Sequence, residues 1–147
     1  MRRTGVAAVL AASWIGSAAI AAEGPAGVWT TEDRDSKIRI ASCGKAYCAT
    51  ILWAKKTMKD ENNPNPALRE RGIVGIELSR DIRPTGDGWA GSMYNPENGQ
   101  TYKTTLQLKS ERTLEVGGCV LGGLLCGSET WQRASDTAST GSITPTR

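Results

Sequence analysis

The chain has 147 residues, with 18 Lys or Arg against 15 Asp or Glu and no histidine, so it lacks the commonest general base near neutral pH and the commonest metal ligand. A Ser-His-Asp triad is thereby excluded, and no Gly-x-Ser-x-Gly occurs. A formal charge of only +3 without a Lys/Arg cluster gives no electrostatic footprint for nucleic acid.

The first 22 residues read as a signal peptide. Arg2 and Arg3 form a charged start, Val6 to Ile20 is a run of apolar and small residues, and Ala19-Ile20-Ala21 supplies the small residues of a cleavage site. Cleavage is expected after Ala21 or Ala22. The run is short for a spanning helix, which needs roughly 20 apolar residues, and no second run follows. The mature protein is therefore expected to be soluble in the periplasm or secreted, not membrane-spanning. Without Arg2 and Arg3 the balance is 16 basic to 15 acidic residues, a net charge of +1. Residues 23–133 are read as one domain, and Ala134 to Arg147, rich in Ser, Thr and Ala, as a disordered tail.

Within the domain, short alternating runs are separated by turn residues and a helical period is almost absent. The first strand is placed at Gly27 to Asp33 and the second at Lys37 to Ser42, where Ile38 and Ile40 share one face and Lys37 and Arg39 the other. The third, Tyr47 to Ala54, puts Ala49, Ile51 and Trp53 on one side. Lys55 to Gly72 interrupts the rhythm, because Pro64 and Pro66 remove ladder donors and Asp60 to Asn63 favour turns. Asn65 is positioned to cap one helical turn opened by Pro66, and this longest insertion is a natural lid or rim. Strands resume at Ile73 to Leu78 and at Trp89 to Tyr94, and Asn95-Pro96-Glu97-Asn98-Gly99 is a hairpin signal. Gln100 to Lys109 has the cleanest alternation, with Tyr102, Thr104, Leu106 and Leu108 on one face. Thr113 to Cys119 and Ser128 to Arg133 complete eight strands, joined through Gly122 and Gly123. Sequential hairpins without helical crossovers predict an all-β, eight-stranded antiparallel up-and-down barrel. A two-sheet sandwich is the alternative, since periodicity does not distinguish closed from open.

Cys43, Cys48, Cys119 and Cys126 are an even set in an exported chain, which favours disulfides over zinc ligands. The pairing Cys43–Cys48 and Cys119–Cys126 is preferred because each pair brackets a turn-like stretch. A five-residue step fully extended would separate the Cα atoms by roughly 17 Å, so that pairing needs a chain reversal.

Other candidate chemistry is weak. The nine carboxylates Glu32, Asp33, Asp60, Glu61, Asp81, Asp87, Glu97, Glu115 and Glu129 fall mostly in turns or on outward faces and read as solvated charge rather than a catalytic pair. Asp60 to Asn63 do not match a calcium loop, and the glycines form no phosphate-binding strand-loop-helix pattern. No enzyme activity, metal or cofactor is expected. Phenylalanine is absent, whereas tryptophan and tyrosine, apolar bodies with a polar handle, are retained. The inward faces nominate Ile38, Ile40, Ile51, Trp53, Tyr94, Tyr102 and Leu106 as cavity lining. An eight-stranded barrel is just wide enough to be filled by side chains or to hold one small ligand.

Two resemblances follow from these residues. Gly27-Val28-Trp29 on the first strand, with Trp131-Gln132-Arg133 on the last, is similar to the lipocalin signature, in which an opening Gly-x-Trp packs under a late Arg. Gly27, Trp29, Trp131 and Arg133 are thus assigned to structural closure. Gly27 to Asp33, Ser36 to Ile40, Asp60 to Arg71, Gly88 to Tyr102 and Gly118 to Gly122 through Arg133 together resemble the exported bacterial family called domain of unknown function 2147. That resemblance implies a lipocalin-like barrel and brings no established reaction. The function expected is binding of a small apolar or amphipathic molecule in the cell envelope. The alternative is a non-catalytic interaction module with a filled barrel, docking a partner through the Lys55 to Gly72 loop and outer strands.

Overall fold

The structure, a computed structural model, describes residues 24–135; the signal peptide and the tail beyond Ser135 lie outside them. Eight strands, β1 (Gly27–Thr30), β2 (Ser36–Cys43), β3 (Ala46–Ala54), β4 (Glu77–Pro84), β5 (Trp89–Asn95), β6 (Gln100–Ser110), β7 (Thr113–Val120) and β8 (Leu125–Arg133), pair with their sequence neighbours. β1 also pairs antiparallel with β8, Trp29 opposite Arg133, and closes the barrel. The closed barrel, not the sandwich, is therefore the fold. No helix among the described residues is long and apolar enough to cross a membrane.

Of the four residues assigned to closure, Gly27, Trp29 and Arg133 meet at the plug, whereas Trp131 stands opposite Leu114 and lines the cavity above it. The Arg133 guanidinium lies 4.2 Å from the centre of the Trp29 ring, a cation–π contact. It also donates hydrogen bonds to the carbonyls of Ala26 and Glu111, both at 2.7 Å. Trp29 is fully buried and its indole N–H donates to the carbonyl of Pro25. Gly27 is required here, because a Cβ at that position would sit 2.2 Å from Arg133 Nη1. Above this plug Ile40, Ala49, Ile82, Leu106 and Leu114 fill the closed end, each at most 1% exposed. Both disulfides have the preferred pairing, Cys43–Cys48 and Cys119–Cys126.

Bulges take β3 and β4 away from simple alternation. On β3, Lys37 is opposite Trp53 but Ile38 is opposite Ile51, so Leu52 is an extra residue. This bulge turns Trp53 outward, where it is 42% exposed with the Lys37 ammonium 5.7 Å from its ring centre. β4 begins at Glu77 rather than Ile73. Its pairs with β3 run Thr50 with Glu77, Ala49 with Ser79 and Tyr47 with Ile82, so β4 carries an extra residue twice and its inward side switches. Ile73 to Ile76 instead form a turn whose ends, Ile73 and Ile76, are buried while Val74 is exposed, held by Ile51, whose carbonyl accepts from the Gly75 N–H at 2.8 Å and whose N–H donates to the Ile76 carbonyl at 3.0 Å. Ala134, read as tail, donates to the Val28 carbonyl at 2.8 Å.

Candidate functional site

β4 and β5 share only the pairs Arg83 with Ala90 and Pro84 with Trp89, and above these the ladder has a gap, although Gly91 still lies against Ile82. The Asp81 carboxylate bridges part of the gap by accepting from the Ser92 N–H at 2.8 Å. The rest is sealed by the long loop, residues 55–76. Asn65 caps its single 3-10 turn (Pro66–Leu68), accepting from the Ala67 N–H, as expected. The loop is a fixed wall, since Asn62 donates to the Glu97 carbonyl at 2.7 Å. Gly99, at φ +69°, leaves room for Asn62, whose carbonyl oxygen would lie 1.8 Å from a Cβ there.

The anchor of this wall is Asp60. Its side chain is completely buried and accepts hydrogen bonds from the Tyr94 hydroxyl at 2.5 Å, Asn63 Nδ2 at 2.7 Å and Arg71 Nε at 2.9 Å, with Arg71 Nη2 at 2.8 Å. Burial works against its charge more than any other single influence. The three donors and the guanidinium charge together outweigh that, and the carboxyl is held below its ordinary range. Burial, together with the adjacent carboxylate, pushes the Tyr94 hydroxyl up to about 12. Asp60 is thus a correction to the solvated reading. It is a satisfied structural ion, with no second buried carboxylate beside it among the described residues.

Between this wall and the plug lies a cavity of about 390 Å³, within the size range of small-molecule sites. The barrel is therefore not filled throughout. Ile38, Ile51, Met93, Val116 and Trp131 form its apolar depth, joined by Met58 and Ile73 from the loop region and Leu78 from β4. Tyr94, Tyr102 and Thr104 add hydroxyls. The facing pairs on β7 and β8 grade upward from Leu114 opposite Trp131, through Val116 opposite Glu129, to Gly118 opposite Gly127. The two glycines withhold side chains where the cavity meets the surface, and a Cβ on Gly127 would meet nothing within 4 Å.

Of the seven nominated lining residues, Ile38, Ile51, Tyr94 and Tyr102 line this space. Ile40 and Leu106 are buried below it in the filled end, and Trp53 is outside. Residues not nominated from the sequence are Met93, Val116 and Trp131, together with the mouth carboxylates Asp33, Asp35, Glu97 and Glu129. Met93 and Val116 alternate correctly with their strands, so their signal was present. The carboxylates come from three separate segments and had no local signature. The Glu97 carboxyl is raised, first by partial burial and then by the charges of Asp35, Asp33 and Glu129.

A second apolar feature sits at the β7–β8 tip, where Leu121, Leu124 and Leu125 are 73%, 88% and 62% exposed.

Residues 27–133 match the model of a family described as an uncharacterized protein conserved in bacteria, DUF2147. Among solved structures, protein HP1028 of Helicobacter pylori, described as belonging to the lipocalin family, superposes with a TM-score of 0.67. The two are 25% identical, and the alignment covers 76% of this chain and 84% of that one. No curated protein matches.

Proposed function

Because the chain belongs to the bacterial family DUF2147 and has a lipocalin-like barrel, we propose that it binds one small apolar or amphipathic molecule outside the cytoplasm, without chemistry. The observation that carries this reading is the cavity of about 390 Å³, plugged below by Trp29 and Arg133 and reaching the surface past the paired Gly118 and Gly127. An empty apolar space costs packing energy unless a guest fills it. Two disulfides support an oxidising compartment, in line with the signal peptide read from Arg2 to Ala22. The mixed aromatic and hydroxyl lining suits a guest with an apolar body and one polar end.

Native mass spectrometry of the oxidised mature protein from a periplasmic extract tests the proposal. A stoichiometric adduct is expected. It should be lost in Gly127→Phe, which fills open space, and kept in Trp53→Ala, which alters only the outer face. A ligand-free mass, with no change in tryptophan fluorescence across a panel of lipids and small hydrophobes, would refute it. That outcome would instead favour the second reading, an interaction module, to which the exposed leucines of the β7–β8 tip give specific support.

A further inference from the structure

The charges around the cavity mouth are one-sided. Asp33 and Asp35 come from the β1–β2 turn, Glu97 from the β5–β6 turn and Glu129 from β8, and Lys56 is the one cation lining the same space among the described residues. That leaves a surplus of three negative charges around an apolar cavity. None of the four carboxylates takes part in a salt bridge among the described residues, whereas Asp60, Glu70, Glu77 and Glu115 each have a cationic partner. Their existing bonds are few. Thr31 Oγ1 lies 2.8 Å from Asp33 Oδ1 and 3.3 Å from Asp35 Oδ1, the Asp35 N–H donates to Asp33, and Trp131 Nε1 donates to Glu129 at 2.9 Å. The Glu97 carboxylate accepts no hydrogen bond from the described residues.

We propose that the molecule held in this cavity is a cationic amphiphile, its apolar tail among Ile38, Ile51 and Met93 and its ammonium or guanidinium head among Asp33, Asp35, Glu97 and Glu129. This rests on the binding reading above and specifies its ligand. Two independent features of the same space converge on it. The apolar depth accepts a tail and gives a head group nothing to pair with, so any charge on the guest must stay at the mouth. The carboxylates there, none in a salt bridge among the described residues, share the lining with Tyr102 and Trp131, the latter donating to Glu129, and carboxylates together with aromatic rings are surroundings that suit an organic cation. The Glu97 carboxyl is pushed up first by partial burial and then by the charges of Asp35, Asp33 and Glu129, and a cation bound among them offsets that repulsion. A mouth built for an anionic lipid or fatty acid would carry the opposite sign.

The test compares three guests of equal chain length, decyltrimethylammonium, decanol and decanoate, each below its micelle concentration. Binding to the oxidised mature protein is followed by tryptophan fluorescence and calorimetry at low salt and neutral pH. The cation is expected to bind at least tenfold more tightly than decanol, and decanoate to bind most weakly. At 1 M NaCl, where the screening length falls to about 3 Å, the preference for the cation should collapse while decanol binding persists. The variant Asp33→Asn/Asp35→Asn/Glu97→Gln/Glu129→Gln should show the same loss of preference at low salt, and Gln at position 129 still offers Trp131 an acceptor. Decanol or decanoate binding as tightly as the cation would overturn the cationic head and leave the binding barrel standing. Calcium chloride saturating the mouth without any amphiphile would likewise overturn it. Failure of all three guests to bind would refute the binding reading itself, and this inference with it.

Discussion

Asp60 ties the loop of residues 55–76 to β5, so changing it measures how much that wall depends on one buried charge. The replacements Asp60→Asn and Asp60→Ala separate charge from hydrogen bonding. In Asp60→Asn the amide can turn its oxygen towards Asn63 and Arg71 and donate its N–H to the Tyr94 oxygen, which then accepts instead of donating. The amide oxygen keeps its donors, and the charge assistance and the acceptor of the Tyr94 O–H are lost. A hydrogen bond to a charged group contributes about 1.5–3 kcal/mol against about 0.5–1.5 for a neutral one. Three donors are affected, but Arg71 is 39% exposed and can recover water, so the expected loss is about 2 kcal/mol. Asp60→Ala strands the buried Asn63 amide, the Tyr94 hydroxyl and the guanidinium, and its loss is expected at about 4 kcal/mol. For a barrel of this size these correspond to falls in Tm of about 8 °C and 16 °C. Urea unfolding followed by the fluorescence of the buried Trp29 and Trp131 is the assay.

The pH dependence gives the sharper check. The folded Asp60 carboxyl is held below its unfolded value, so its contribution is complete above the unfolded value of about 3.9 and disappears as pH falls through the folded one. The gap between wild type and Asp60→Asn should therefore be flat from pH 5 to 8 and close only in acid below that range. A gap under about 0.5 kcal/mol at pH 7, within the range of an ordinary surface substitution, would refute the reasoning. So would a gap that persists unchanged at pH 2, or equal losses in the two variants.

Glu97 carries the opposite sign. Its carboxyl is raised in the folded protein, so ionisation costs stability as pH rises from the unfolded value through the folded one. Glu97→Gln should raise stability at pH 7 by about 0.5 kcal/mol, small because the side chain is solvent-screened, and leave it unchanged near pH 3; thermal melts at the two pH values check this. Gly27→Ala forces a Cβ onto Arg133 Nη1 at φ +141° and should cost about 2 kcal/mol, read by urea unfolding, with near-ultraviolet circular dichroism reporting the displaced Trp29. Each disulfide closes a short loop, with sequence separations of 5 and 7, and reduction should cost about 2 kcal/mol per bridge. The reduced barrel should keep its far-ultraviolet spectrum with a lower midpoint, and outright unfolding on reduction at 25 °C would show that the bridges carry the fold.

Much of the barrel is written in local pattern. β2, and β6 as far as Leu108, keep strict alternation, so Ile38, Ile40, Thr104 and Leu106 were assignable to the interior from their neighbours alone. The turn after Asn95 has glycine where φ is positive, and so does the β7–β8 turn at Gly122 and Gly123 though not at Leu121, and the Trp29–Arg133 plug was visible as two short matching ends. Asn65 and Pro66 announced their 3-10 turn. What failed did so at bulges. One extra residue at Leu52 carried Trp53 from the inner face to the outer, and two in β4 erased its period and hid the strand between Glu77 and Pro84. Alternation is a local rule with a period of two, and a single insertion inverts everything beyond it.

The sequence by itself determined the strand order and the antiparallel neighbours, and favoured the cysteine pairing and the meeting of the two ends, because each depends on residues close together or on a short motif repeated at both termini. Only the tertiary structure decided that the interior is filled below Ile38 and open above it, that Asp60 is a buried ion held by Tyr94 from 34 residues away, and that carboxylates from the β1–β2 turn, the β5–β6 turn and β8 share one mouth. These are properties of space enclosed between strands. A cavity is what the side chains around it leave unoccupied, and no single stretch of chain encodes it.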